Sequence, residues 1–266
     1  MTMTQKITMI TCYDYPSARV FDQSEVDIIF VGDSVGTNVL GYRSELEVTM
    51  ADMIHHLKAV RRGVTRKTLM VDLPYATYRS KNEALENAKA LIGKGADIVK
   101  LEGGAETAPI VEALVGGGIN VCGHLGFQPQ VMKSDKRAVF GSLAGEAEKI
   151  YRDAQALEAA GVRYVVLECV PEMVAKIVTE AISVPTIGIG SGKYCSGQVL
   201  VSTDLLGWYD MPYRFVKRYE NFAQRAVEAV NRFVTEVQSR KYPQRNHGFR
   251  IRADELSEFK KSIGLE

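Results

Sequence analysis

The stretch VDIIFVGDSVG, Val26 to Gly36, reads as a buried strand that stops on an acid. Ile28 to Val31 run without a polar break, the pattern of a strand covered on both faces in a parallel sheet. Glycine, Asp33, Ser34 and a second glycine at position 36 follow. Glycines there let another atom come close to a carboxylate at a strand end. Seven more runs share the strand character: ITMITCYD (7–14), TLMVDLP (68–74), DIVKLEG (97–103), NVCGHLG (120–126), YVVLECV (164–170), PTIGIGSG (185–192) and VLVSTD (199–204).

Helical patterns separate these runs. Ser80 begins SKNE, a capping-box spelling, ahead of ALENAKALIGKGA. Glu146 to Gly161 is helical and stops at a glycine. A long final helix is expected from about Arg214 to Gln238, and the chain after Lys241 (241–266) reads as a tail. A βα unit repeated about eight times over roughly 250 residues is the size and rhythm of a (β/α)8 TIM barrel in one α/β domain spanning 1–266. A doubly wound open sheet is the alternative. It calls for its own phosphate-binding loop, and neither G-x-G-x-x-G opening a helix nor G-x-x-x-x-G-K-[ST] occurs.

Composition narrows the function classes. The 266 residues are 46% hydrophobic and 24% charged, with a net charge of +1. Nothing in that balance points to nucleic acid or an anionic membrane. No apolar run approaches the roughly 18 residues of a membrane span, and no N-terminal h-region marks a signal peptide. Cys12, Cys122, Cys169 and Cys195 form no CxxC pair and read as reduced thiols of a cytoplasmic protein.

The strand ends carry the chemistry. Asp33, Asp72 and Glu102 end strands two, three and four, His124 lies near the end of strand five, and Glu168 near the end of strand six. In a barrel all these ends open on one face, where active sites sit. Four carboxylates on a dry rim repel one another unless a positive charge is present. With no Cys–His spacing suited to zinc, a hard divalent cation such as Mg2+ is the economical partner. Lys100 stands two residues before Glu102 and so faces the same side of the sheet. Blander readings apply elsewhere. His55 and His56 are adjacent on a helix, diverge by about 100°, and are read as structural. Arg61 and Arg62 read as a solvated helix end, and Gly116 to Gly118 as a helix exit.

With these residues in place, the chain resembles the ketopantoate hydroxymethyltransferase family, also called 3-methyl-2-oxobutanoate hydroxymethyltransferases. The resemblance runs from about Ile7 to Phe249. It rests on TCYDYPSA, VGDSVG, AVRRG, VDLPY, VKLEGG, VCGHLGFQPQ, LEAAGVRYVVLECVP, PTIGIGSG, GQVLV and FVKRY in one order at compatible spacing. It implies a (β/α)8 barrel of the phosphoenolpyruvate/pyruvate-type superfamily and transfer of a one-carbon unit from 5,10-methylenetetrahydrofolate to 3-methyl-2-oxobutanoate. The product is ketopantoate, a pantothenate precursor. By the same resemblance Asp33, Asp72 and Glu102 are Mg2+ ligands. Asp33 and Asp72 lie against the substrate, and Ser34 and Lys100 contact its carboxylate. Glu168 is the general base that removes the C3 proton, and His124 is an active-site histidine. The resulting enolate attacks the methylene carbon of the folate iminium. A homo-oligomer, often a decamer, is also implied.

The chain departs from the family pattern at three places. VMKSDKRAVFGSLAGE (131–146) replaces a glycine-rich stretch after strand five, and bears on donor and acceptor choice. Ser196 and Thr203 stand where an aspartate and a histidine are frequent. The chain begins almost at strand one, where many members carry an extra helix. None of these touches the metal set. A mutase or isocitrate-lyase-like C–C lyase of the same superfamily is the alternative. It typically puts a D-x-D pair at the strand corresponding to VDLP, whereas Asp72 is followed by Leu73 and Pro74. A non-catalytic binding protein has no need of the complete acidic set and Lys100.

Overall fold

The computed structural model describes residues 5–130, 139–209 and 213–265. Among them eight parallel strands close into a barrel in sequence order: β1 (Ile7–Thr11), β2 (Ile28–Val31), β3 (Thr68–Asp72), β4 (Ile98–Lys100), β5 (Val121–Gly126), β6 (Tyr164–Glu168), β7 (Thr186–Ile189) and β8 (Gly197–Leu200). β8 pairs with β1 from Ile7↔Gly197 to Ile10↔Leu200, which completes the ring.

The pleat sorts the strand residues into two cores. Ile28 and Phe30, Met70, Ile98, Cys122, Val166, Ile187, Ile189 and Val199 fill the lumen. Their neighbours Ile29, Val31, Leu69, Val71, Val99, Val121, Val165 and Leu167 point outward to the helices. One more step of two along the inner face gives Asp72 after Met70 and Lys100 after Ile98. The same step gives His124 after Cys122 and Glu168 after Val166. The candidate site is therefore the top layer of the lumen.

The helices between strands are α1 (Tyr15–Gln23), α2 (Met50–Gly63), α3 (Lys81–Ile92), α4 (Ala108–Gly116), α5 (Ala144–Ala159), α6 (Glu172–Ala181) and, after β8, the short α7 (Ser202–Leu206). Caps fix several of their starts. Asp14 accepts from the Ser17 backbone N–H at 2.8 Å, with Pro16 just inside α1. Thr49 and Asp52 form a reciprocal capping box on α2. At α3 Ser80 Oγ accepts from Glu83 N at 3.3 Å, but the Glu83 carboxylate accepts from Arg79 N instead of closing the expected box.

Three sequence expectations shift. The last strand ends at Leu200 and not at 204, because Ser202 N donates to Thr11 Oγ1 at 2.9 Å and Asp204 N turns back to Val201 O. The long helix begins at Phe222 and not near 214. The chain before it makes a turn, Val216 N to Tyr213 O, as Phe215 packs onto the lumen core. Arg61 is not a solvated end: its guanidinium donates to Gly95 O at 3.2 Å and to Val64 O, and lies 3.7 Å from Asp97. Arg62 is exposed as expected, and Gly117 caps α4. His56 Nδ1 meets Tyr13 O at 2.6 Å, in keeping with a structural role.

The chain forms two compact units, Met1–Tyr219 and Glu220–Glu266. The second carries α8 (Phe222–Gln238) and α9 (Ala253–Ser262). No helix among the described residues is long and apolar enough to cross a membrane. The four cysteines are buried and form no disulfide among the described residues.

Candidate active site

At the C-terminal mouth of the barrel Asp33, Asp72, Lys100, Glu102, His124 and Glu168 are each between 1% and 7% exposed. With the half-buried Ser34 they line one small cavity of about 60 Å³. Its apolar wall comes from Phe30, Val166, Ile189, Val199 and Val201. All seven predicted residues thus reach one place.

The strands deliver four of them, and the segments just past β2 and β4 deliver Asp33, Ser34 and Glu102. Asp72 and Lys100 are register partners on β3 and β4, and Lys100 Nζ lies 2.6 Å from Asp72 Oδ1. Glu102 follows β4 by two residues on the same face. Asp33 comes from the turn after β2, in which Gly36 N donates to Asp33 O at 2.9 Å. Its own N–H donates to Asp72 Oδ2 at 2.9 Å, so two of the expected ligands are locked together. Ser34 Oγ shares a 2.8 Å hydrogen bond with the Tyr13 hydroxyl.

A second chain of contacts crosses the opposite wall. His124 Nδ1 is 3.1 Å from Glu102 Oε1, and its Nε2 is 3.4 Å from Glu168 Oε2. Burial and the Lys100 charge oppose protonation of this imidazole, but hydrogen bonding to Glu102 and Glu168 outweighs them and raises its pKa to about 9. The two flanking carboxylates thus favour the protonated imidazole at neutral pH.

Electrostatics divide the Lys100–Asp72 pair. Burial works against the Lys100 ammonium, yet the carboxylates of Asp72, Asp33 and Glu102 overcome it and hold its pKa above the ordinary lysine value. Burial also pushes Asp72 up to about 7; Lys100 pulls it down and Asp33 pushes it further up. Lys100 holds its proton, and Asp72 is a carboxylate whose ionised form the buried site disfavours.

Sequence reasoning missed Gln130, which ties the two halves of the site. Buried at 3% exposure, it donates from Nε2 to Asp33 Oδ2 at 2.6 Å and to Leu73 O at 3.1 Å. Its backbone N–H donates to Glu102 Oε2 at 2.9 Å, and its Oε1 accepts from the Tyr78 hydroxyl. Gln128 Nε2 likewise donates to His124 O at 2.6 Å. The signal was the FQPQ run after strand five, two amides where a polar loop needs none. Tyr13 and Tyr78 carried no signal; burial raises the pKa of both phenols well above the usual tyrosine value.

The predicted metal ligands share a cavity without forming a cage. Among the described residues no three His, Cys, Asp or Glu side chains close into a metal-binding cluster. Glu102 is turned to His124 and Gln130, and Asp33 to Gln130. The donor chemistry nonetheless fits a hard cation. The donors are carboxylate oxygens, four carboxylates face one ammonium and one imidazolium, and Asp72 Oδ1 has no directed hydrogen-bond donor. Lys100 Nζ meets that oxygen as an ion pair at 2.6 Å. The unusual sequence at 131–138 lies outside the described residues, and Val139 to Glu146 lead into α5.

Several known proteins are similar to this chain. The family model for ketopantoate hydroxymethyltransferase matches residues 1–245. The 3-methyl-2-oxobutanoate hydroxymethyltransferase of Thermoanaerobacter sp. (strain X514) is 47% identical over 251 residues, 93% of this chain and 92% of that protein. The protein of the same name from Pyrococcus abyssi is 46% identical over 262 residues, 97% and 93%. Among solved structures 2,3-dimethylmalate lyase, a PEP mutase/isocitrate lyase superfamily member, superposes with a TM-score of 0.57. It is 14% identical and covers 98% of this chain and 92% of its own. That likeness concerns the barrel alone.

Proposed function

This chain belongs to the ketopantoate hydroxymethyltransferase family, and from that premise we propose that it transfers the one-carbon unit of 5,10-methylenetetrahydrofolate to C3 of 3-methyl-2-oxobutanoate. The product is ketopantoate, on the way to pantothenate. The observation that supports this most is Glu168 facing the same buried cavity as Lys100 and Asp72, with His124 behind it.

A 2-oxo acid brings a carboxylate, a ketone and an acidic C3–H. Lys100 supplies the cation for the carboxylate, and Ser34, held by Tyr13, supplies a hydroxyl donor. The isopropyl group finds Phe30, Val166, Ile189 and Val199. Asp33, Asp72 and Glu102 would hold Mg2+, which when bound supplies Lewis-acid polarisation of the ketone, worth several kcal/mol. Glu168 Oε takes the C3 proton. The His124 imidazolium orients Glu168 and keeps Glu102 in place. The balance needs one water: its oxygen becomes the new hydroxyl, and both folate nitrogens leave protonated.

The homo-oligomer, a decamer by resemblance, gains support from α8. Val227, Val230, Phe233, Val234 and Val237 are exposed on it, an apolar stripe that suits a protein partner. Four buried thiols outside any disulfide suit a cytoplasmic setting.

The test is direct. The protein is incubated with Mg2+, 3-methyl-2-oxobutanoate and methylenetetrahydrofolate, and ketopantoate is sought by mass. Its appearance, dependent on all three, is the expected result; its absence after chelation and reloading with Mg2+ overturns the reading.

A further inference from the structure

The turn that follows β2 is wound more widely than an α-helix. Over Gly36–Leu40 its closing hydrogen bonds run from Gly41 N and Tyr42 N back to Gly36 O, five and six residues along the chain. Such wide turns are rare and recur at functional sites. This one has Ser34 just before it and Asn38 at its centre. A Cβ on Gly36 would stand 2.6 Å from Val48 Cγ2, so the turn is seated closely on the chain that follows it.

Asn38 is buried and uses both ends of its side-chain amide. Its Nδ2 donates to Ser34 O at 3.0 Å, and its backbone N–H donates to the same carbonyl at 2.9 Å. A carbonyl can only accept, so Ser34 O fixes which end of the amide faces it. Thr37 Oγ1 also lies 3.4 Å from that carbonyl, but its single hydrogen has a nearer acceptor in Glu45 Oε1 at 2.9 Å. Asn38 therefore supplies the two principal donors to Ser34 O.

The other end of the amide is tied across the barrel mouth. Asn38 Oδ1 accepts from Thr203 Oγ1 at 3.1 Å, and the Asn38 carbonyl accepts from the Tyr209 hydroxyl at 3.0 Å. Thr203 belongs to α7, after β8. Its neighbour Ser202 donates from N to Thr11 Oγ1 at 2.9 Å, and Thr11 lines the small cavity at the end of β1. Two consecutive residues after β8 thus reach the end of β1 and the turn after β2. Position 203, where a histidine is frequent, here holds the hydroxyl that meets Asn38 Oδ1.

Ser34 is held at both ends as a result. Its carbonyl is gripped by Asn38, and its Oγ shares a hydrogen bond with the Tyr13 hydroxyl. With Tyr13 as the donor, the Ser34 hydrogen is left for an incoming carboxylate. We propose that Asn38 is the positioning residue of Ser34 and that Thr203 orients the Asn38 amide, so that a bridge from α7 to the β2 turn sets how tightly the carboxylate of a 2-oxo acid is held. The assignment rests on the role given to Ser34 under Proposed function, and adds to it what keeps that hydroxyl in place.

The test is the calorimetric affinity for 3-methyl-2-oxobutanoate in the presence of Mg2+, which needs no turnover. Ser34→Ala should weaken binding about tenfold or more, the order expected for a hydrogen bond to a charged group. Asn38→Leu should weaken it about fivefold and Thr203→Val about threefold, fractions of the same interaction. Thr203→Ser keeps the hydroxyl and should restore native affinity. Because Asn38 acts through Ser34, Asn38→Leu combined with Ser34→Ala should bind within about twofold of Ser34→Ala alone. Thr203→Val differs from the native side chain only in its hydroxyl, so the same cycle run with it carries the test where Asn38→Leu does not fold. Native affinity in Asn38→Leu or Thr203→Val, equal losses in Thr203→Ser and Thr203→Val, or losses that multiply in the double variant each overturn the assignment. A native protein that shows the expected pattern of affinities but makes no ketopantoate overturns the reading under Proposed function and leaves the assignment standing. One that binds no 2-oxo acid overturns both.

Discussion

The two sides of the barrel mouth are built on opposite plans. On the β2–β5 side Asp33, Asp72, Lys100, Glu102, His124 and Gln130 are buried and hold one another through contacts of 2.6 to 3.1 Å. On the β7–β8 side two glycines and a helix-free return leave a cleft of about 980 Å³ with exposed cations on its rim. The first side is pre-organised charge that ordinary water cannot screen. The second is space.

This contrast can be broken from either side, and the largest effect belongs to Lys100. Lys100→Met removes the one ammonium among three buried carboxylates. Loss of one partner from a buried ion pair costs on the order of 3–5 kcal/mol, so urea unfolding should show a correspondingly lower stability. A variant as stable as the native protein contradicts the charge arrangement of the buried side.

Gln130→Ala comes next. It strips donors from Asp33 and an acceptor from Tyr78, at a cost of about 1–3 kcal/mol for buried polar groups left unsatisfied. Mg2+ affinity measured by calorimetry should fall with it, since the side chain sets where Asp33 points. Asp33→Ala, Asp72→Ala and Glu102→Ala should each weaken Mg2+ binding more than Gln130→Ala does. Native Mg2+ affinity in Asp33→Ala removes the turn after β2 from the metal set.

The smallest effect lies on the open side. Lys193→Ala should change stability by no more than about 0.5 kcal/mol, as surface substitutions do. A large loss of stability there would mean that the cleft is a packed interior and not an open surface.

What was legible in the sequence follows the pleat. Asp72, Lys100, Glu102, His124 and Glu168 sit at steps of two from lumen residues on strands whose apolar runs are easy to see. Their convergence required only that the strands close into a ring. The turn that delivers Asp33 and the loop that delivers Gln130 follow no period, and Gln130 is fixed by partners 28 to 97 residues away. No local pattern encodes such contacts. The end of β8 was misplaced for the same reason: VLVSTD opens as an apolar run like the other strands, and the hydrogen bond that stops it goes to Thr11, at the far end of the chain. Arg61 was read as solvated because its partners, Gly95 and Asp97, belong to another βα unit.

The central claim is that Glu168 is the base of an enolate-forming pocket. C3-deuterated 3-methyl-2-oxobutanoate, incubated with Mg2+ and no folate, isolates that step. Glu168→Gln keeps the size and hydrogen-bonding capacity of the side chain but cannot take the proton as a carboxylate does. The native enzyme should exchange the label with water, while Glu168→Gln should bind the 2-oxo acid and Mg2+ near-normally and exchange it about 10²–10⁴-fold more slowly. Equal exchange by the two proteins would contradict the account and move the base to another group.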